Sequence, residues 1–435
     1  MNPLLQKIQA QLRRPGLWNI GRLLSASVFA QVLSIGIAPI VTRLYSKEDY
    51  GFLAIVISVS SILGTFATLQ YHQTILLPKE DEEAKLGTAL SLYLSAALSG
   101  LVLVLYFVCM PFLSHWFNFQ ESYTQWFLVL PVLVLLSGFS TTISIWANRK
   151  QQYKLLSRSR ITASIATSVT TVGLGWLLDG PTGLIVGFTL NYVILSIMLW
   201  FSGINRELST LPMKEFSRIK TWAKQNAGYP LMTLPSEFVN MFINQLPVFL
   251  LTTLKGAGEA GLFSLCNRVL ATPVNMVASA TGEFFRQKAA SEYAEKGECQ
   301  STFTKITLGL AGISIVPFAV LGVFSPALFA WIFGEEWRQA GEYAQVLSAL
   351  FFFKFVVSPV SFMYYIANRL KEDLLVHVYL IASTLGLFVF LKSAPTEVML
   401  AGYVVNYILV YIFVGWRSWH FSKGEKTTTS EASLR

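Results

Sequence analysis

Charge is scarce in this sequence. Only 13% of its 435 residues are Asp, Glu, Lys or Arg, about half the ~25% that a soluble domain carries. With 53% hydrophobic residues and a mean hydropathy of +0.53, that shortage excludes a soluble globular protein. The chain reads as an integral membrane protein. Cysteine is also rare: Cys109, Cys266 and Cys299 form no CxxC pair. A disulfide framework and a structural metal site are therefore not expected. The four histidines, His72, His115, His377 and His420, are scattered. The chain has no HExxH, no P-loop, no GxGxxG in a βαβ setting and no Ser/His/Asp set. An enzyme is not expected, nor is a resident cofactor. The N-terminus, MNPLLQKIQAQLRRPG, lacks a signal-peptide cleavage pattern. Leu4, Leu5, Ile8 and Leu12 alternate there with Lys7, Arg13 and Arg14. A short interfacial helix and a frayed terminus both fit.

What is present is apolar sequence in long runs. A bilayer core takes about 20 apolar residues per helix. By that measure twelve spans are expected, near 17–42, 50–77, 86–108, 126–147, 161–178, 183–203, 229–253, 260–285, 304–333, 340–366, 374–392 and 398–419. The connections between them are short, so no globular domain fits on either side. The fold class is all-α.

The formal net charge of +9 first reports topology in such a chain, not nucleic-acid binding. With both termini placed in the cytoplasm, 25 of the 33 Lys and Arg residues fall in cytoplasmic segments. Only Arg43, Lys47, Lys255, Arg338 and Lys392 fall on the other side, and Arg22, Arg268 and Lys354 lie within spans. Basic residues concentrate on the cytoplasmic side of membrane proteins, so this bias fixes the expected orientation.

The longest polar connection is 204–228, which divides the spans six and six. It reads as a cytoplasmic linker, partly an amphipathic helix on the membrane surface. The expected layout is 1–16 as an amphipathic N-terminus, 17–203 as a first lobe, 229–421 as a second, and 422–435 as a polar tail. The halves echo each other at an offset of 210 residues: TRLYSKEDYGFL at 42–53 aligns with TTLKGAGEAGLF at 252–263, matching Gly51 to Gly261. Six helices separate the copies, so they run in the same direction. Two parallel six-helix lobes are expected, related by an axis along the membrane normal, with a ligand path between them.

Polar residues inside spans mark the candidate site, because a charge or amide facing lipid costs several kcal/mol. Ser264, Arg268, Thr272, Asn275, Ser279 and Glu283 recur at spacings of 4, 4, 3, 4 and 4, one stripe of a helix. Glu237, Asn240 and Asn244 repeat the pattern on the preceding span. Lys354 sits about 20 Å of helix from either end of its span, too far for its stem to snorkel. Ser358, Ser361 and Tyr365 continue its face. Arg268, Lys354, Asn275, Asn244, Asn240 and Arg22 are the candidate ligand-binding residues. Arg22 could equally be an interfacial anchor, and Lys354 could pair with Glu237. A buried Glu237 could bind a proton or sodium ion as a coupling site, or be neutralised by Arg268 or Lys354. Arg43 is expected in a local ion-pair cluster with Glu48 and Asp49. Glu283 and His72 are expected on solvated faces.

Pro39–Asp49 (PIVTRLYSKED) with Gly51, ILLPK at 75–79, QLP at 245–247, AGLFSL at 260–265, RVL at 268–270 and Pro273 together resemble the bacterial polysaccharide and O-antigen lipid flippases. These belong to the multidrug/oligosaccharidyl-lipid/polysaccharide exporter superfamily. The resemblance implies a V-shaped transporter of the inner membrane with twelve helices. It implies an undecaprenyl-diphosphate-linked oligosaccharide as substrate, moved by alternating access, with a polysaccharide polymerase as a potential partner. Arginine suits the diphosphate because its planar fork donates to two oxygens at once. Membrane lipids are the other expected partners. A cation-coupled multidrug antiporter of the same superfamily is the alternative; such transporters usually need several buried acids, and here only Glu237 qualifies. A major-facilitator transporter would carry a basic, Gly-rich loop where this chain has Pro78-Lys79-Glu80-Asp81-Glu82-Glu83. A polymerase would need a large outer loop, and a scaffold would not need Lys354.

Overall fold

The computed structural model describes residues 15–117, 123 and 125–424, so the terminal segments expected at 1–16 and 422–435 lie almost wholly outside the described residues. Twelve long helices are present among them. They are α1 (Pro15–Gly36), α2 (Lys47–Phe66), α3 (Asp81–Phe117), α4 (Val129–Arg149), α5 (Tyr153–Leu177) and α6 (Thr182–Leu199), then α7 (Leu234–Lys255), α8 (Ala257–Lys296), α9 (Gln300–Phe333), α10 (Arg338–Val357), α11 (Leu370–Phe390) and α12 (Thr396–Ser422). No strand occurs among the described residues. Eight helices, α2, α3, α4, α6 and α9 to α12, are long and apolar enough to cross a membrane. The all-α membrane class holds.

The chain divides into two compact units, residues 1–261 and 262–435. In the first, α2 is opened by a reciprocal cap. Ser46 donates from its backbone N–H (3.0 Å) and its hydroxyl (2.7 Å) to Asp49 Oδ2, while Ser46 Oγ accepts from the Asp49 backbone N–H at 3.1 Å. That satisfies donors the helix start would otherwise leave unmade. The Tyr123 hydroxyl donates to the other oxygen of Asp49 at 2.9 Å. The expected Arg43–Glu48–Asp49 ion-pair cluster is therefore not formed: the cap occupies Asp49, and Arg43 donates to the Pro39 carbonyl at 3.1 Å.

A backbone-to-backbone crossing follows within the same unit. A Cβ on Gly51 would lie 1.8 Å from the Ala257 carbonyl oxygen, and a Cβ on Gly261 would lie 1.9 Å from that of Lys47. Adding 210 to Lys47 and Gly51 gives Ala257 and Gly261. The contact is thus its own image under the internal repeat, and glycine is required at both positions because no side-chain atom fits.

The second expected span is not one continuous helix. α2 stops at Phe66, and Leu69 (φ 45°) and Gln70 (φ 64°) take left-handed backbone conformations before a 3₁₀ turn over Tyr71–Leu76. Polar side chains fix the break. Gln70 Nε2 donates to the Thr65 carbonyl at 3.3 Å, and Thr68 Oγ1 lies 2.6 Å from His72 Nδ1. His72 is partly buried here, not on a solvated face.

Around this turn the first unit is densely knitted. Arg149 donates to Asp81 Oδ1 (3.0 Å) and to the carbonyls of Ile75 (3.0 Å), Pro78 (2.7 Å) and Lys79 (3.2 Å). Lys150 pairs with Asp81 and with Glu207 (3.4 Å), and the buried Trp146 donates to Glu207 at 3.1 Å. The linker docks on the same surface. Its helix, Phe216–Gln225, buries Ile219 against Tyr71, Leu86 and Leu90. Tyr71 donates to the Ala223 carbonyl at 3.0 Å and Trp222 to Thr74 at 3.3 Å.

In the second unit, α8 runs 40 residues, about 60 Å at 1.5 Å per residue, well past its apolar stretch. Its far half packs Phe285 and Ala289 against Phe303, Val360, Met363, Tyr364 and Phe421. Cys299 joins the ends: its N–H donates to the Ser422 carbonyl at 2.8 Å and its sulfur sits 3.5 Å from that of Met363. Burial, reinforced by Glu292 and Glu298, pushes its thiol up to about 11. The span expected at 340–366 is also interrupted. α10 ends at Val357 because Pro359 has no N–H for the next helical bond, and a turn leads to a short helix at Met363–Ile366.

Candidate functional site

The helices that are not apolar enough to count as spans are informative. α5, α7 and α8 carry the polar residues. A helix that keeps a polar face within an otherwise apolar bundle reserves that face for water or a ligand.

On α7, Glu237, Asn240 and Asn244 lie three and four residues apart, and all are exposed. Asn244 Nδ2 donates to the Asn240 carbonyl at 2.8 Å and to its Oδ1 at 3.2 Å. Those bonds stay within the helix and leave much of the amides' capacity unused. Glu237 has no hydrogen bond or ion pair among the described residues. One turn on, Gln245 accepts from Ser58 of α2 at 2.8 Å. α7 thus presents one polar line outward and ties Gln245 to α2 within the same unit.

On α8, Arg268, Asn275, Ser279 and Glu283 form a second exposed line. Thr272, between them, returns its hydroxyl to the Arg268 carbonyl at 2.7 Å. The Glu283 side chain is 73% exposed and lies 3.6 Å from Arg286, the solvated position expected for it.

Lys354 is only partly buried, and its ammonium lies 5.6 Å from the centroid of the Phe351 ring. It makes no ion pair among the described residues. Because α10 ends three residues later, Ser358, Ser361 and Tyr365 do not extend one helical stripe. They sit on the turn beyond it, still accessible, with Tyr365 51% exposed. The backbone of Arg22 lies in α1, but its side chain lies outside the described residues. The structure thus gathers Glu237, Asn240 and Asn244 on one helix face and Arg268 and Asn275 on another.

Two features go beyond the expected stripes. The first is a polar seam between α1, α5 and α6. Arg160 donates to Ser27 at 2.7 Å, Ser164 to the Ala30 carbonyl at 3.3 Å, and Asn191 to Thr167 at 3.3 Å. Gln31 Oε1 and Ser157 Oγ are buried there without a hydrogen-bond partner, which is costly unless something else satisfies them. The Ser/Thr periodicity of α5 was the available signal. The second is an aromatic layer, Arg286–Phe362–Tyr365, which needs the turn after Pro359 and so could not be read from helical spacing.

A multi-pass, all-α membrane protein whose polar helices stand among apolar ones is defined by these observations. The chain belongs to the polysaccharide biosynthesis protein family, whose pattern it matches over residues 40–342. It is similar to the succinoglycan biosynthesis transport protein ExoT of Rhizobium meliloti (strain 1021), with 21% identity over 328 residues, 74% of this chain and 63% of that protein. The chain therefore spans less than two thirds of that relative's length. Among solved structures it resembles the lipid II flippase MurJ in an inward closed conformation (TM-score 0.68, 14% identity, covering 92% of this chain and 89% of that one). It also resembles an inward-facing multidrug resistance transporter of the MATE family and MOP superfamily (TM-score 0.67, 13% identity, 90% and 94%). At such identity the likeness to solved structures establishes the fold. The resemblance expected from the sequence motifs holds at the family level.

Proposed function

We propose that this chain is a transporter, not an enzyme, and that it moves a lipid-linked oligosaccharide across the bacterial inner membrane. The observation that carries the reading is the set of polar residues on α7 and α8 together with Lys354. Among them Glu237, Asn240, Asn244 and Asn275 are exposed, with side chains bonded only within their own helix or not at all among the described residues. Membership of a polysaccharide biosynthesis family supports the same reading. The substrate would be an undecaprenyl-diphosphate-linked oligosaccharide. Arg268 and Lys354 would neutralise its diphosphate, while Asn240, Asn244 and Asn275 would hydrogen-bond its polar part and Arg22 would add a cation. Glu237 would take the coupling proton or sodium ion. Twelve spans in two lobes, with both termini cytoplasmic, would carry this machinery, and a polysaccharide polymerase would receive the product.

The test is surface polysaccharide in cells lacking the native transporter, measured beside the level of the protein in membranes. Arg268→Ala and Lys354→Ala are expected at normal protein level but with export strongly reduced. Losing one partner of a desolvated charge pair costs about 2–5 kcal/mol. Lys354→Arg should retain more activity than Lys354→Ala, since charge matters before fork geometry. Normal export by both alanine variants would overturn the diphosphate site. The second reading, a cation-coupled multidrug antiporter, is favoured by the comparable likeness to the MATE structure. It predicts drug sensitivity on deletion with surface polysaccharide unchanged.

A further inference from the structure

The second unit holds a layered cluster that the diphosphate site does not use. The guanidinium of Arg286, from α8, lies 4.2 Å above the centroid of the Phe362 ring. Phe362 in turn stacks on Tyr365, with centroids 4.9 Å apart and planes only 5° from parallel. Tyr365 is 51% exposed. The cluster stands at the end of the spans that the charge bias assigns to the cytoplasm.

Its construction is specific. Pro359 ends α10, and the following turn brings Phe362 back toward α8, where Gly282 lies 3.8 Å (as a built Cβ) from the Cα of Pro359. A Cβ there would make ordinary van der Waals contact with Pro359, so the turn packs closely on α8. The cation holds Phe362 through the negative face of its ring, and Phe362 fixes the plane of Tyr365. A rigid, half-exposed aromatic plane beside a cation is a poor place to bury an acyl chain. It suits a pyranose ring, whose axial C–H groups carry partial positive charge that the ring face attracts, while sugar hydroxyls reach Ser361 and Ser358 on the same turn.

We infer that Tyr365 is a saccharide-stacking residue at the cytoplasmic entry of the transport path, with Arg286 and Phe362 as its positioning residues. The inference rests on the transport reading above and assigns the sugar, not the diphosphate or the lipid, to this end of the second unit.

The experiment uses the full chain in cells from which its gene has been deleted, with cell-surface hexose as the probe and membrane protein level as the control. Tyr365→Phe keeps the ring and should retain export. Tyr365→Leu keeps apolar bulk without a π face and should lower export about threefold to tenfold at unchanged protein level, the size of a ring-stacking contribution. Wild-type export by Tyr365→Leu would overturn the subsite. Equal losses in Tyr365→Phe and Tyr365→Leu would overturn it too, because the hydroxyl and not the ring would then matter. A fall in protein level matched by the fall in export would assign Tyr365 to membrane anchoring instead. If the deletion itself leaves surface hexose unchanged, the transport reading fails independently of this site.

Discussion

Two regions of this molecule use the same kinds of residue to opposite ends. Around the start of α3 and the end of α4, the prominent polar groups are paired with one another: Arg149 makes four bonds, and Asp81, Lys150, Glu207 and Trp146 close a network around it. Along α7, Glu237, Asn240 and Asn244 are exposed, bonded locally or not at all. A polar residue in a membrane protein is thus a poor guide to function until its partners are counted. Groups that hold the fold together are consumed by it, and groups kept for a ligand are not. Four sets of substitutions can break or sharpen that contrast.

The largest effect is expected where packing leaves no slack. Gly51→Val and Gly261→Val each place side-chain carbon against a backbone carbonyl that cannot rotate away. The helices would have to part, at a cost of at least about 3 kcal/mol. Both variants should fall sharply in membrane level and in melting temperature in detergent. Gly309→Ala, which meets nothing within 4 Å, should not. Normal stability of both valine variants would mean the crossing is looser than the geometry states.

Next comes the paired network. Arg149→Met removes all four bonds and leaves three carbonyls and part of Asp81 without their donor. The side chain is only 11% exposed, but Asp81 is 46% exposed, so solvent recovers some of the loss. About 2–3 kcal/mol is expected. Arg149→Lys cannot reproduce the fork and should recover less than half of it. Loss of export at unchanged stability would place Arg149 with the functional groups and erase the contrast.

The sequence made much of this fold legible. Each expected span overlaps a helix, and eight of these helices are long and apolar enough to cross a membrane, because about 20 apolar residues admit few other structures in lipid. The repeat at 42–53 and 252–263 pointed to the glycines that meet in the crossing. What failed were helix interruptions. Gln70 and Pro359 break spans that hydropathy alone runs together, since hydropathy does not register a left-handed residue or a missing N–H. The linker was read as partly an amphipathic helix on the membrane surface; that helix packs Ile219 and Trp222 against Tyr71 and Leu86, while its Phe216 stays 65% exposed. An apolar stripe announces that it will be covered, not by what. For the candidate site, the stripes on α7 and α8 were visible from spacing, whereas the Arg286–Phe362–Tyr365 layer exists only because the chain turns at Pro359.

A smaller effect is expected at Glu237. Being exposed and without a partner among the described residues, it should tolerate Glu237→Gln with a stability change within about 0.5 kcal/mol. Export should nonetheless lose its dependence on the proton or sodium gradient, read as polysaccharide output with and without an ionophore. Full gradient-sensitive export would remove Glu237 from coupling. A large drop in stability would instead move it into the class of Arg149.

The smallest effect concerns the native thiols, and it supplies the means to test topology. Cys266 and Cys299 are buried, and the Cys299 thiol is raised to about 11. Burial therefore keeps the Cys299 thiol protonated near neutral pH far more completely than a free cysteine, and only the thiolate attacks a maleimide. A variant with Cys109→Ala should therefore stay unlabelled in intact cells and keep normal export. On that background a cysteine at Lys214 or at Glu336, both exposed, should perturb nothing. A membrane-impermeant maleimide should then label position 336 and miss position 214 until the cells are opened. Labelling of 214 from outside would invert the orientation drawn from the basic residues. Labelling of the unmodified background would show that Cys266 or Cys299 opens to solvent, and would move the core of the second unit toward the open side of the contrast.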